Sequence, residues 1–196
     1  MLYILTINNV INLPTKLSTQ NTQPVITIKE CKENQLDLLF EIAIESYNDT
    51  YQYLWTDKGL AYLKRFYNKE DFKKELSAPD VFYFLIYDAD KAIGYFKLKD
   101  NPNKQYPEKK CTEIDKLYLI KDYLNKGIGK TIMDFILLFC TEKKSSILWL
   151  KTMEVSQAKS FYEKHGFIQT DKNYLNFPTM KPEYRWILTM VKKISI

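Results

Sequence analysis

The sequence predicts an α/β fold in which a mixed sheet is covered by helices on both faces. Three observations lead there. Segments of helical period fill the early chain, a β-hairpin pattern follows, and the remainder alternates strand, helix, strand, helix, strand. The 196 residues amount to one domain, and a core of that size needs no metal or disulfide to hold it. Hydrophobic residues make up 45 % and charged residues 27 %, the balance of a globular chain and not of a disordered one.

Met1 to Leu13 is apolar, yet it lacks a basic flank, carries Asn8, Asn9 and Asn12, and is too short to cross a bilayer. Pro14 to Pro24 reads as a linker. Residues 1–24 are therefore expected to be a partly flexible N-terminal extension, and residues 25–196 a single domain. Val25 to Lys29 predicts a strand. Leu36, Leu39, Phe40, Ala43 and Tyr47 fall on one helical face, so Gln35 to Tyr47 predicts a helix. Two shorter helices follow, one through Leu60, Leu63 and Phe66, the next capped by Asn68 and ending before Pro79. Val81 to Tyr87 and Ala92 to Lys99 form the hairpin around a turn at Asp88 to Lys91. Thr112 to Leu119 is a third strand of that run, Gly127 to Lys143 a long apolar helix, and Ile147 to Lys151 a strand. Ser156 to Lys164 then predicts a helix, Phe167 to Thr170 a strand, Asp171 to Tyr184 a loop, and Arg185 to Val191 the last strand.

Composition removes several chemistries. His165 is the only histidine and Cys31, Cys111 and Cys140 are widely spaced, so no metal-ligand spacing exists, and no G-x-S-x-G elbow accompanies a serine nucleophile. Three cysteines, an odd number, point to a reducing compartment, and the expected location is the cytoplasm. The net charge of +5 is scattered, without the basic stripe of a nucleic-acid binder.

The informative segment is Leu124-Asn125-Lys126-Gly127-Ile128-Gly129-Lys130-Thr131, which places two of the five glycines between a strand and the long helix. A helix start leaves its first amides unpaired and partly positive, so a glycine turn there lets a phosphate approach closely. Gly129-Lys130-Thr131 matches the end of a Walker A loop, but that loop needs a glycine where this chain has Leu124. A tight turn without a ligand is the third reading.

The segment resembles the acetyl-coenzyme A loop, [RQ]-x-x-G-x-G/A, of the GNAT N-acetyltransferase superfamily. Ala158-Lys159-Ser160-Phe161-Tyr162-Glu163-Lys164-His165-Gly166-Phe167 is similar to the A-x-x-F-Y-x-x-x-G-F helix of that family. Ile93 to Leu98 and Glu113 to Leu119 look like its third and fourth strands. The resemblance covers about Val25 to Val191, and Ser46 to Leu98 is similar to the bacterial branch that includes polyamine (spermidine/spermine) N-acetyltransferases. Leu124 and Asn125 depart from the usual Gln or Arg and Gly, and Val155 from an Asn found in many members.

What the resemblance implies is a GNAT-like, mostly antiparallel sheet with a splayed parallel strand pair, acetyl-CoA as co-substrate and no metal. Backbone groups of Leu117, Tyr118 and Leu119 would pair with pantetheine. Asn125, Lys126, Gly127, Ile128, Gly129 and Lys130 would hold the pyrophosphate. Tyr162 matches the family's tyrosine acid for the departing thiolate. A lysine-like amine, of pKa about 10.4, must lose a proton before attack. Glu113 and Asp115 are the candidate acceptors because they sit two apart on one strand, with Glu113 taken first. Solvated carboxylates and a merely packed tyrosine are the competing readings. An acyl-CoA-binding module without catalysis is the rival function. The acceptor pocket is expected from the early helices and the loop Asp171 to Tyr184, with Tyr174, Phe177 and Tyr184 joined by Tyr47, Tyr51 and Trp55. The expected partners are a small-molecule or peptide amine and a second copy of the chain, with neither nucleic acid nor membrane.

Overall fold

The computed structural model of the protein describes residues 25–195, so the expectations for residues 1–24 lie outside the described residues. Among the described residues seven strands form one sheet: β1 (Ile26–Glu30), β2 (Val81–Asp88), β3 (Lys91–Asp100), β4 (Cys111–Leu119), β5 (Ile147–Met153), β6 (Ile168–Tyr174) and β7 (Trp186–Lys193). Their order is β1-β2-β3-β4-β5-β7-β6, and every neighbouring pair is antiparallel except β4 with β5. Five α-helices connect them: α1 (Leu36–Tyr51), α2 (Leu60–Phe66), α3 (Lys69–Leu76), α4 (Ile128–Glu142) and α5 (Ala158–Lys164).

The unbroken apolar run of β2 is explained by helices on both sides of the sheet. Phe84 and Phe96 meet Phe135 of α4 at ring distances of 5.2 and 5.8 Å. Tyr83, pointing the other way, stacks on Phe72 of α3 at 5.7 Å. Alternate residues of one strand thus feed two separate helix layers. Asn68 caps α3 as the sequence predicts, its side-chain oxygen accepting from the Asp71 amide at 2.9 Å.

Two elements reach four residues beyond their expected ends. Helix α1 runs one turn further, to Tyr51, because that ring finds Tyr47 at 5.6 Å and Tyr118 at 5.8 Å, which outweighs the turn-forming Asn48 and Asp49. Strand β6 continues to Tyr174, through residues assigned to a loop. It is an edge strand, largely exposed, held by backbone pairing to β7, and a polar edge carries no apolar alternation to read. Among the described residues no helix is long and apolar enough to cross a membrane, and no cluster of His, Cys, Asp and Glu could hold a metal ion.

Candidate active site

The parallel pairing of β4 with β5 stops after four residues, Cys111 to Ile114 against Ile147 to Leu150. Beyond that fork β4 stays with β3 and β5 stays with β7, so the two strands part. The cause lies in the register. Lys97 opposes Lys116 but Leu98 opposes Ile114, which leaves Asp115 as an extra residue in β4. Such a bulge bends its strand and shifts the side-chain phase by one. A cleft of about 920 Å³ opens in the gap, walled by Ile114 to Leu119 on one side and by Lys151 and Thr152 on the other. Leu117, Tyr118 and Leu119 border it.

At one end the cleft meets the start of α4. Asn125 and Gly127 both have left-handed backbones, with φ of 60° and 80°, a curl of the kind from which anion-binding concavities are made. At Gly127 this conformation favours glycine. Asn125, Gly127, Ile128, Gly129 and Lys130 line the cleft. Lys126 does not: its ammonium lies over the Tyr123 ring, 5.0 Å from the centroid.

Gly129 has a second reason to be glycine. A Cβ there would come within 2.8 Å of Phe161 Cε2, so α4 and α5 touch through this absence. Gly129→Val is therefore expected to displace Phe161 and, with it, the helix that carries Tyr162. Acetyl-CoA affinity should fall by about 10-fold or more at a cost in stability of about 1–3 kcal/mol. Calorimetry beside a thermal melt would reveal it, and unchanged affinity with the fold intact would refute the contact's importance.

Tyr162 lies on the inner face of α5, 7 % exposed, and borders the cleft. Burial, reinforced by the neighbouring Tyr51, pushes its phenol well above the ordinary tyrosine value, so it remains a proton donor at any working pH. Burial likewise pushes Tyr51 up to about 12. His165, at the end of α5, donates from Nδ1 to the Phe161 carbonyl oxygen at 2.8 Å.

The two carboxylates separate. Glu113 is buried, accepts a 2.6 Å hydrogen bond from Asn101 Nδ2, and does not border the cleft. Burial holds its carboxyl above the ordinary value, with Asn101 opposing. Asp115, on the bulge, does border the cleft and pairs with Lys97 at 2.5 Å and Lys99 at 3.4 Å. Burial works to raise Asp115, but Lys116, Lys97 and Lys99 outweigh it and hold the group below the ordinary aspartate value.

Tyr51, Tyr53 and Tyr184 also border the cleft, and so does Asp49, whose carboxylate accepts from the Lys121 amide at 2.9 Å. Tyr53 and Tyr184 meet edge to face at 5.2 Å, although they come from opposite ends of the chain. Backbone bonds join their segments: the Thr56 amide donates to Thr179 O and the Lys181 amide to Leu54 O, each at 2.9 Å. Tyr47, Trp55 and Phe177 do not reach the cleft; the Trp55 indole donates to the Tyr47 hydroxyl at 2.9 Å, inside the aromatic core. Tyr174 packs on Trp186 at the sheet edge. Sequence reasoning missed Tyr53, Asp49 and Lys151. Only the position of Lys151 at the predicted end of a parallel strand gave a signal for any of them.

A strand fork, a left-handed curl at the start of a long helix and a buried phenol thus border one cleft. A model of the Acetyltransferase (GNAT) family matches residues 40–167. An uncharacterized N-acetyltransferase in the pepI 3' region of Lactobacillus delbrueckii subsp. lactis is 30 % identical over 145 residues, 72 % of this chain and 83 % of its own. The spermidine N(1)-acetyltransferase of Thermoplasma acidophilum is 28 % identical over 160 residues, 78 % of this chain and 94 % of its own. The crystal structure of the PaiA N-acetyltransferase from Thermoplasma acidophilum, in complex with coenzyme A, matches with a TM-score of 0.68 at 25 % identity, over 86 % of this chain and 98 % of that one. The chain belongs to the GNAT family and is an acetyl-CoA-dependent N-acetyltransferase.

Proposed function

We propose that the protein acetylates a primary amine of a small polyamine-like molecule, with Tyr162 as the acid and Asp115 as the group that meets the amine. The observation that carries this reading is that one cleft is bordered by the curl at Gly127, by Asp115 and Tyr162, and by Tyr51, Tyr53 and Tyr184. Acetyl-CoA supplies an acetyl thioester. Leu117 to Leu119 present backbone groups along its pantetheine arm, and the amides from Asn125 to Lys130 receive the diphosphate. The Asp115 carboxylate accepts a hydrogen bond from the amine and so orients it. Lys116 and Lys151, which border the cleft from its two sides, disfavour the ammonium form and leave the neutral amine that attacks. The proton then leaves through water, since Asp115 is a weak base and Glu113 stands behind the wall. The Tyr162 hydroxyl gives its proton to the departing thiolate.

The three tyrosines support a cationic, methylene-rich acceptor, because aromatic faces hold both alkyl chains and ammonium groups. The similarity to a spermidine N(1)-acetyltransferase over 94 % of that protein supports the same class. Thiol release should be followed with acetyl-CoA and a panel of spermidine, spermine, short diamines and peptides with free N-termini. Polyamines are expected to give kcat/KM at least about 10-fold above the peptides, the value of one good charged contact. A peptide preference would overturn the acceptor class, and no release with any amine would overturn the catalytic reading.

A further inference from the structure

Lys97 stands in the middle of β3 and is 3 % exposed. Its ammonium touches Asp115 at 2.5 Å and both Glu75 oxygens at 3.0 Å, and Glu75 also accepts from the Tyr83 hydroxyl. Lys99 lies further off, 3.4 Å from Asp115 and 3.9 Å from Glu75. A fold gains little from such a cluster, because apolar residues of similar volume hold a core as well as a buried ion pair does. One end of the cluster, however, opens on the cleft.

We propose that Lys97 is a positioning residue for acetyl transfer: backed by Glu75 of α3, it fixes the Asp115 carboxylate at the strand fork as a permanent hydrogen-bond acceptor for the incoming amine. The inference rests on the reading that Asp115 meets the acceptor. The bulge gives the arrangement its geometry. It turns both Asp115 and Lys116 toward the layer of α1, α2 and α3, where Lys97 also points, so the carboxylate is held from behind while it borders the cleft.

The groups that face Asp115 are Lys97, Lys99 and Tyr95 from β3, Glu113 and Lys116 from β4, Glu75 from α3, Tyr62 from α2 and Tyr83 from β2. Removing the Lys97 charge leaves two carboxylates, Asp115 and Glu75, facing each other with only Lys99 and Lys116 to offset them. Loss of an opposite charge and exposure of a like one both favour the protonated acid, so the carboxyl must titrate at higher pH.

Three variants test this by the pH dependence of kcat/KM for spermidine, with melting temperature and acetyl-CoA binding measured on each. Lys97→Met should move the acid-limb ionisation of Asp115 upward by about 1–3 pH units from its place in the parent. Lys97→Met combined with Glu75→Gln removes the like charge as well and should move that ionisation back down. Asp115→Asn leaves its single oxygen to the Lys97 ammonium and turns an NH2 toward the amine, so it should lower kcat/KM by about 10- to 100-fold, as loss of a hydrogen bond to a charged group does. A folded Lys97→Met with the parent pH profile, while Asp115→Asn is slow, overturns the role of Lys97 alone. An Asp115→Asn enzyme of normal rate overturns the Asp115 reading itself. Should Lys97→Met fail to fold, carbon-13 titration of the parent Asp115 carboxyl decides: ionisation below the ordinary aspartate range supports the clamp, and an ordinary value overturns it.

Discussion

Replacing Tyr162 with phenylalanine is expected to slow turnover by about 10- to 1000-fold, the contribution of a positioned general acid. The ring keeps its packing against Phe161 at 5.3 Å and Phe167 at 5.5 Å, and only the hydroxyl leaves. The melting temperature should therefore move little, and the acetyl-CoA dissociation constant should stay near that of the parent. Because the phenol is protonated throughout the working range, the loss should be of similar size at pH 7 and pH 9. A packing role alone would cost about 1 kcal/mol of stability at most and leave turnover intact. Turnover at saturating acetyl-CoA, read beside a thermal melt, separates the two; a near-normal rate would leave solvent as the proton source.

Gly94→Ala should be the most damaging single methyl group in the sheet. Gly94 faces Leu119 across the β3–β4 ladder, and a Cβ there would collide with the carbonyl oxygen of Tyr118 and lie 3.0 Å from Leu119 Cα. Backbone cannot step aside as a side chain does, so β4 must move. About 1–3 kcal/mol of stability is at risk, and the displaced segment is the one proposed to lie along pantetheine. Acetyl-CoA affinity should fall together with stability; an alanine variant with parent melting temperature and parent affinity would show that the strands have room to spare.

The parts of the site that local chemistry dictates were legible in the sequence. Two scarce glycines before an apolar helix announce the turn at Gly127, and Phe161-Tyr162 announces the face of α5 that meets it. The parts set by pairing were not. The bulge at Asp115 arises because β4 slips one residue against β3, and nothing within Thr112 to Leu119 marks where a partner strand will slip. For that reason Glu113 and Asp115 looked equivalent, and only one of them borders the cleft. Lys97 carried a faint signal: it shares a phase with Tyr95 on a strand otherwise buried, so a charge there had to find carboxylates. The reach of β6 to Tyr174 was hidden by the polar Asp171-Lys172-Asn173.

The fork has a consequence for how the enzyme is held together. Within the sheet the four-stranded half, β1 to β4, is sewn to the three-stranded half by one short seam, and α4 lies on the first half through Phe135. In the proposed placement the carrier's arm lies along the unsewn length of β4 and acts as a missing strand. The substrate is then also mortar. At a concentration 100 times its dissociation constant it adds about 2.7 kcal/mol to the folded state. The resistance of the protein to heat and proteolysis would then follow the acetyl-CoA concentration around it.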